Sequence, residues 1–317
     1  IDFWTTTVDG RASFASTNFA GEADFTQSSF HRLDMWNTVF EQSVKFNETM
    51  VEQSADFYKA QFKQSADFTN FYTGNSAKFE GTQFNSDAIF ENAIFGRDVN
   101  FMDAQFGGYA NFRYITVGRF CDFINATFNK EFSFYYTTTA WPYFKNVTFK
   151  GAVDFEGMQA SEDFEIENSS YSHLEQPFPV TMATIGGAVK FSNFDAPAGF
   201  DLSRSQFESL NINSEKELKT EFIDINESDI ENELTINNIN TKSFTAAGAT
   251  IGKSTNLSRV GITEKLDMRN ASIGFLKIDE QPQWPTDPAA FTLRGMTYTD
   301  IDIGDQGLTN KTFQSLL

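Results

Sequence analysis

Phenylalanine recurs at every eleventh residue over a long stretch of this chain, and this period constrains the fold more than any other feature. One row contains Phe57, Phe68, Phe79, Phe90, Phe101, Phe112, Phe123 and Phe134, and Phe46 and Met35 extend it backward. A second row contains Phe62, Thr73, Phe84, Phe95, Phe106, Val117, Phe128 and Thr139. In most cases a small residue, usually alanine, lies two positions before the row member, as Ala55 does before Phe57. Residues two apart share one side of an extended segment, so each pair is predicted to face inward from a short strand.

An eleven-residue period also fits a right-handed helical supercoil, because eleven residues complete three helical turns. A helix, however, needs apolar residues at spacings of three and four, whereas Phe, Thr, Asn, Asp and Gly dominate this stretch. Polar pairs such as Glu80-Gly81 and Asn85-Ser86 stand between the apolar positions and are typical of turns. The pattern therefore favours short strands that are joined by polar corners.

The segments ADFYKAQF, ANFRYITV and CDFINATF resemble the phenylalanine variety of pentapeptide repeats, over about residues 3–166. The resemblance implies an all-β fold, a right-handed quadrilateral β-helix, with the large residue of each face stacked inside and the small one beside it. The sequence departs from the family motif by adding one residue to every second unit. A coil would then take two periods of eleven, about 22 residues.

Beyond residue 166 the interior row continues with aliphatic residues in place of phenylalanine. It is predicted to pass through Ile185, Ala196, Phe207, Leu218, Ile251, Ile262 and Ile273, with Leu257 and Met268 in the alternate row. We predict a Phe-rich β-helix over residues 1–168, an insertion loop over 169–181, a continuing Ile/Leu-rich β-helix over 182–280 and a C-terminal cap over 281–317. Separate domains are the alternative.

The charge of the chain limits its partners. A net charge of −19 argues against ordinary binding to nucleic acid or to an anionic membrane, since both need clustered Lys and Arg. No run of 18 apolar residues occurs, so we expect no membrane span in this chain. An anchor beyond Leu317 stays open at this stage.

The sequence predicts no catalytic, metal or cofactor site, and hence no enzyme. His31 and His173 have no partner at metal-ligand spacing. Cys121 occupies the small-residue row and is expected to be buried and inert. Acids recur beside the inward phenylalanines, as at Asp56 and Asp67, which is typical of an outward-facing row rather than of a catalytic pair.

Asn-x-Ser/Thr sites are slightly more frequent than chance. They occur at Asn47, Asn125, Asn146, Asn168, Asn226, Asn256, Asn270 and Asn310. Two interpretations stay open: these asparagines carry glycans at exposed corners, or they serve only as turn residues. The densest acidic segment, residues 214–234, is a candidate partner surface.

These features favour a non-enzymatic structural or interaction rod, secreted or on the cell surface, whose partners are proteins, itself included, by end-to-end or lateral assembly. Assembly into a filament or a surface layer is the sharper form of this hypothesis. The resemblance offers an alternative, since some pentapeptide-repeat proteins are acidic, DNA-mimicking rods that bind a type II topoisomerase in the cytoplasm. A third hypothesis is a β-helix enzyme that acts on polysaccharides.

Overall fold

The computed structural model describes residues 1–279 and 283–302, which form parallel β-strands and one 3₁₀ turn at Pro288–Ala290. The chain divides into two compact units, Ile1–Ser161 and Glu162–Leu317. Within each unit, successive coils stack through parallel strand pairs, so the predicted all-β solenoid is confirmed. No helix among the described residues is long and apolar enough to cross a bilayer.

One coil of the first unit shows how the period becomes structure. Residues 61–82 contain the strands Gln61–Phe62, Ala66–Asp67, Tyr72–Thr73 and Ala77–Lys78. We call the four sides of the coil faces 1 to 4 in this order, and each corner by the two faces it joins. Ala66 pairs with Ala88, which is 22 residues later. The predicted coil of two eleven-residue periods is therefore confirmed here.

The same four columns of strands run through the first unit. Face 1 contains Asn18–Phe19, Val39–Phe40, Gln61–Phe62, Gln83–Phe84, Gln105–Phe106, Thr127–Phe128 and Thr148–Phe149. Face 2 contains Ala23–Asp24, Val44–Lys45, Ala66–Asp67, Ala88–Ile89, Ala110–Asn111, Phe132–Ser133 and Val153–Asp154. Face 3 contains Met50–Val51, Tyr72–Thr73, Ile94–Phe95 and Gln159–Ala160, and face 4 contains Ala55–Asp56, Ala77–Lys78 and Val99–Asn100. Four longer strands continue from face 3 into face 4: Thr7–Ser13, Ser29–Asp34, Thr116–Asp122 and Thr138–Lys145.

Two kinds of corner alternate around each coil. They account for the alternating steps of five and six residues between the two interior rows, as from Phe57 to Phe62 and from Phe62 to Phe68. After Phe57, a tight turn is closed by a hydrogen bond from the Ala60 N–H to the Phe57 carbonyl at 2.9 Å. Lys59, the third residue of this turn, has a φ of 55°, which makes it a type II turn. After Phe62, the corner takes the three residues 63–65, and this corner holds the residue that the family motif lacks.

The interior of the first unit is a set of stacked phenylalanine columns. All members of the two predicted rows between residues 35 and 139 are buried, which confirms the sequence register. The rings of Phe57 and Phe79 lie 4.8 Å apart and nearly parallel, while Phe57 and Phe68 meet edge to face at 5.3 Å. Both arrangements are favourable for aromatic pairs. Where a threonine replaces the small alanine, its hydroxyl is satisfied, as Thr82 Oγ1 donates to the Phe57 carbonyl at 2.8 Å.

The second unit is built from longer strands. They are Phe164–Glu167, Ser170–Tyr171, Phe178–Pro179, Thr184–Ser192, Phe200–Asp201, Gln206–Asp224, Asp229–Thr245, Thr250–Asp267, Ser272–Asp279, Phe291–Thr292 and Thr297–Asp302. The predicted interior residues are buried, with one exception. Leu218 is half-exposed, so its assignment to the interior row is wrong. The cause is a bulge: Asn213 pairs with Asn237 and Leu218 with Ile239, so four residues oppose one and Leu218 is displaced from the row.

The predicted domain boundaries at residues 168, 181 and 280 do not coincide with the division at Ser161 and stay predictions. Within the segment predicted as a loop, residues 169–181, two short strands flank residues 172–177. Tyr171 and Phe178 in these strands are buried. Of the predicted cap, residues 281, 282 and 303–317 lie outside the described residues.

Candidate interaction surface

The recurring acids beside the inward phenylalanines cap the corners. Asp56 Oδ1 accepts a hydrogen bond from the Tyr58 N–H at 3.0 Å, and Asp67 Oδ1 accepts one from the Thr69 N–H at 2.9 Å. The same Asx turn recurs at Asp122, where burial raises the pKa of the carboxyl although the Ile124 N–H donates to it at 3.0 Å. These acids therefore satisfy backbone donors at the turns, a role that the sequence interpretation missed.

Four of the eight predicted glycosylation sites lie at the left-handed corner position. Asn125, Asn146, Asn168 and Asn270 are exposed and have φ values between 49° and 57°. Asn47 and Asn226 each precede such a position, and Asn256 lies within the strand Thr250–Asp267. Asn310 lies outside the described residues. Asparagine tolerates this backbone region better than most residues do, so the turn interpretation explains the four positions without a glycan.

The corner asparagines of the first unit are also linked to one another. Asn125 Nδ2 donates to Asp103 Oδ1 at 2.9 Å, and Asn146 Nδ2 donates to Asn125 Oδ1 at 2.9 Å. This column lies at corner 4–1. Exposure leaves room for a sugar at both asparagines, although one amide proton of each is already engaged in the column.

The nucleophilic and metal-binding side chains are not assembled into a site. Cys121 is fully buried, and burial raises the pKa of its thiol well above the usual value, with the Asp122 carboxylate adding to the effect. The Nδ1 atom of His31 lies 2.9 Å from Glu52 Oε2 on the surface. Within residues 1–279 and 283–302, no group of three His, Cys, Asp or Glu side chains could hold a metal ion.

The candidate partner segment 214–234 includes the bulge of the second unit. Residues 214–219 line a groove of about 540 Å³ together with Asn168, Asn193 and Asp195. Glu215, Lys216, Glu217 and Lys219 alternate in sign and are exposed. The groove is therefore mixed in charge rather than uniformly acidic.

Exposed hydrophobic side chains of the first unit are concentrated on one side. Nine large ones are exposed, and seven of them lie on face 3 or its two corners. They are Trp4, Met50, Tyr72, Ile94, Tyr114, Phe120 and Tyr136. We call face 3 with corners 2–3 and 3–4 the aromatic face. Exposed apolar residues that are grouped on one side of a protein indicate a candidate interaction surface.

The centre of the aromatic face carries no charge. Its outward column is a continuous series of paired residues: Thr7, Ser29, Met50, Tyr72, Ile94, Thr116, Thr138 and Gln159. The equivalent column of face 1 contains Gln61, Gln83 and Gln105. The difference could have been found in the sequence, since the outward position of alternate eleven-residue units changes from glutamine to apolar residues.

Corner 2–3 combines tyrosine with arginine. Tyr114 and Tyr136 occupy the left-handed position with φ values of 58° and 49°, which is unusual for aromatic residues. Both are more than two-fifths exposed. The Arg113 guanidinium lies 4.6 Å from the ring centre of Tyr135, and Tyr135 packs against Tyr136 at 4.6 Å. The same left-handed position recurs along this corner, for example at Glu48, Asn70 and Asn92, so the aromatic side chains and not the turn distinguish this cluster.

Corner 3–4 presents a second aromatic group. Arg119 lies 4.4 Å over the ring of Phe120, and its Nε is 3.2 Å from Asp98 Oδ1. Phe120 also packs against Trp141, with ring centres 5.6 Å apart. Tyrosine, tryptophan, phenylalanine and arginine are the residues enriched where proteins bind one another.

The comparisons with known proteins agree with the fold. A family model for pentapeptide repeats, in nine copies, matches residues 74–116. No curated protein and no solved structure matches the chain. The matched residues cover the coils in which the phenylalanine columns are regular, from Phe79 to Phe112. The motif match and the stacked phenylalanine interior together support the assignment of these coils to the pentapeptide repeats.

Proposed function

We propose that this protein is a non-enzymatic interaction scaffold whose first unit binds another protein through the aromatic face. The single observation that carries the proposal is the concentration of exposed large hydrophobic residues on this one face. Faces 1, 2 and 4 serve as supporting surface, because their outward columns are polar or mixed.

The chemistry of the aromatic face favours a protein over other partners. Its centre is uncharged, and its corners carry Tyr114, Tyr136, Phe120 and Trp141, which supply large contact areas with few rotatable bonds. Arg113 and Arg119 are already stacked on aromatic rings, so their guanidinium groups are held in place for a partner. An acidic chain with this surface is a poor ligand for nucleic acid.

The charge pattern favours this proposal over DNA mimicry. The outward column of face 2 reads Asp24, Lys45, Asp67, Ile89, Asn111, Ser133 and Asp154. Acidic residues are interrupted by a base, an apolar residue and neutral polar residues. A duplex carries a negative charge at every phosphate, so a mimic would need a more regular acidic column.

We also propose that the scaffold works outside the cell or at its surface. Asn125 and Asn146 support this location because they are exposed at corner 4–1, which does not border the aromatic face. Glycans there would leave the aromatic face open. The test is the intact mass of the protein from its natural source with peptide mapping at both sites; unmodified peptides would contradict the extracellular proposal.

Photo-crosslinking in the native cell tests the interaction itself. A benzophenone amino acid at Thr116, in the centre of the aromatic face, should give protein adducts. The matched control is Gln105, an exposed residue at the equivalent strand position on face 1. Adducts at Thr116 and none at Gln105 support the proposal, whereas equal labelling or no labelling contradicts it.

A further inference from the structure

We propose that the protein bound by the aromatic face is a second copy of this chain, in antiparallel orientation. The two-fold axis would pass between the level of Ile94 and the level of Thr116. This inference rests on the proposed function, because it requires the aromatic face to be a protein-binding surface.

The first argument is the relief of the aromatic face. Between Met50 and Thr138, its central column carries three large residues, Met50, Tyr72 and Ile94, followed by two small ones, Thr116 and Thr138. The corners have the opposite gradient. At corner 2–3, Asn70 and Asn92 precede Tyr114 and Tyr136, and at corner 3–4, Ser76 and Asp98 precede Phe120 and Trp141.

An antiparallel two-fold axis brings the large side chains of one copy against the small side chains of the other. Such an axis reverses the direction of the coils but keeps each corner opposite the same corner of the other copy. Ile94 then lies opposite Thr116, and Tyr72 opposite Thr138, so that large central residues meet small ones. Each tyrosine of corner 2–3 likewise meets an asparagine, since Tyr114 lies at the level of Asn92 in the other copy.

The parallel arrangement matches poorly. An axis along the coil stack would place every level against itself, so that Ile94 would meet Ile94 and Tyr72 would meet Tyr72. The large central residues would hold the copies apart at one end, while the paired threonines would leave a gap at the other. Poor packing of this kind forfeits contact energy.

Charge complementarity supports the same axis. Arg113 and Glu91 both lie at corner 2–3, one coil apart. The antiparallel axis places Arg113 of each copy opposite Glu91 of the other, giving two symmetric pairs. Elsewhere two chains of net charge −19 repel each other, so the uncharged central column is where close approach costs least.

The expected dimer is weak. The six levels from Met50 to Gln159, at about 4.8 Å each, and a width of about five extended residues at 3.3 Å give a face of roughly 29 by 17 Å. This is about 500 Å² per copy, or about 1,000 Å² in total, before the shape of the side chains is counted, near the lower limit of specific interfaces. The association should therefore depend on concentration.

Disulfide trapping with the full chain tests the orientation. The variants Tyr72→Cys and Thr138→Cys should form a disulfide-linked dimer when mixed, because the axis brings these two positions face to face. Neither variant should crosslink alone, since two Thr138 positions would be separated by three levels, about 14 Å, beyond the reach of a disulfide. The natural Cys121 is fully buried and does not compete.

Sedimentation equilibrium supplies the affinity. The wild type should show a monomer-dimer equilibrium, and Thr116→Glu should raise the dissociation constant by about tenfold or more, because it buries a charge opposite Ile94. Gln105→Glu on face 1 is the matched control and should leave the equilibrium unchanged. Glu91→Arg and Arg113→Glu should each weaken the dimer, and the double variant should restore it.

The outcomes separate this inference from the proposed function. Crosslinking of each cysteine variant alone would overturn the antiparallel axis and leave the aromatic face as the binding surface. A wild type that stays monomeric at all concentrations, with Thr116 adducts to a different protein, would overturn self-association alone. Failure of both the dimer and the Thr116 adducts would overturn both proposals.

Discussion

Truncation of one interior phenylalanine measures how much the aromatic columns contribute to stability. Phe79 is fully buried, and its ring stacks between Phe57 at 4.8 Å and Phe101 at 4.9 Å. It also meets Phe68 and Phe90 edge to face at 5.4 and 5.2 Å. Phe79→Ala removes these four ring contacts and a more distant one to Phe84 at 6.2 Å, and it leaves a cavity because the backbone ladders on every face prevent collapse. Core substitutions of this type cost about 3–5 kcal/mol, and the lost aromatic pairs place this one near the upper end.

The matched control is Phe120→Ala, which removes an equally large ring from a corner where it is more than one-third exposed. This change should cost less than about 1 kcal/mol. Denaturant unfolding followed by circular dichroism gives the two free energies, and hydrogen exchange shows whether the loss at Phe79 is confined to neighbouring coils, as expected for a solenoid. Equal losses for the two variants, or a loss below about 1 kcal/mol at Phe79, would refute the view that stacked rings stabilise the unit.

Three further predictions concern the corners. Asp67→Ala should cost about 1 kcal/mol of unfolding free energy, because the Thr69 N–H and hydroxyl lose their acceptor. Asp67→Asn keeps an acceptor oxygen and should cost less than about 0.5 kcal/mol in the same unfolding assay. Equal losses for the two variants would contradict the capping role. Burial raises the pKa of Asp267, but hydrogen bonds from Arg269 and the charge of Lys265 outweigh burial and lower this pKa below 3.8. Asp267→Asn should therefore destabilise the protein at neutral pH. The difference in unfolding free energy from the wild type should vanish as the pH falls through the pKa of the folded state. A difference that persists at low pH would show that another interaction is responsible. Tyr114→Asn should stabilise the fold by up to about 1 kcal/mol, because asparagine is less strained than tyrosine in the left-handed backbone conformation. The same variant should weaken self-association in sedimentation equilibrium. A destabilised fold would show that the contacts of the tyrosine ring contribute more free energy than its backbone conformation costs.

The sequence predicted the inside of this protein well because the interior obeys one rule. Every inward position of a coil must hold a side chain that stacks on its neighbours 22 residues away, so the rows of Phe57 and Phe62 could be followed without a structure. Leu218 was assigned wrongly because a bulge changes the spacing locally while the residue types on either side stay aliphatic. A periodic rule cannot locate the residue at which the period slips.

The aromatic face could not be predicted in the same way, because the fold places little demand on outward positions. Gln61 on face 1 and Tyr72 on face 3 lie at equivalent strand positions of one coil and are equally compatible with the ladder. What distinguishes the aromatic face is that apolar residues persist at one outward position on successive coils, and that tyrosine is kept at Tyr114 and Tyr136 where asparagine would be less strained. Neither the apolar outward residues nor the two tyrosines are required for folding. In a solenoid of this kind, we therefore look for the functional surface where the outward residues depart from what the fold accepts most easily, and the opposing size gradients of the central column and its corners are the basis for proposing a second copy as the partner.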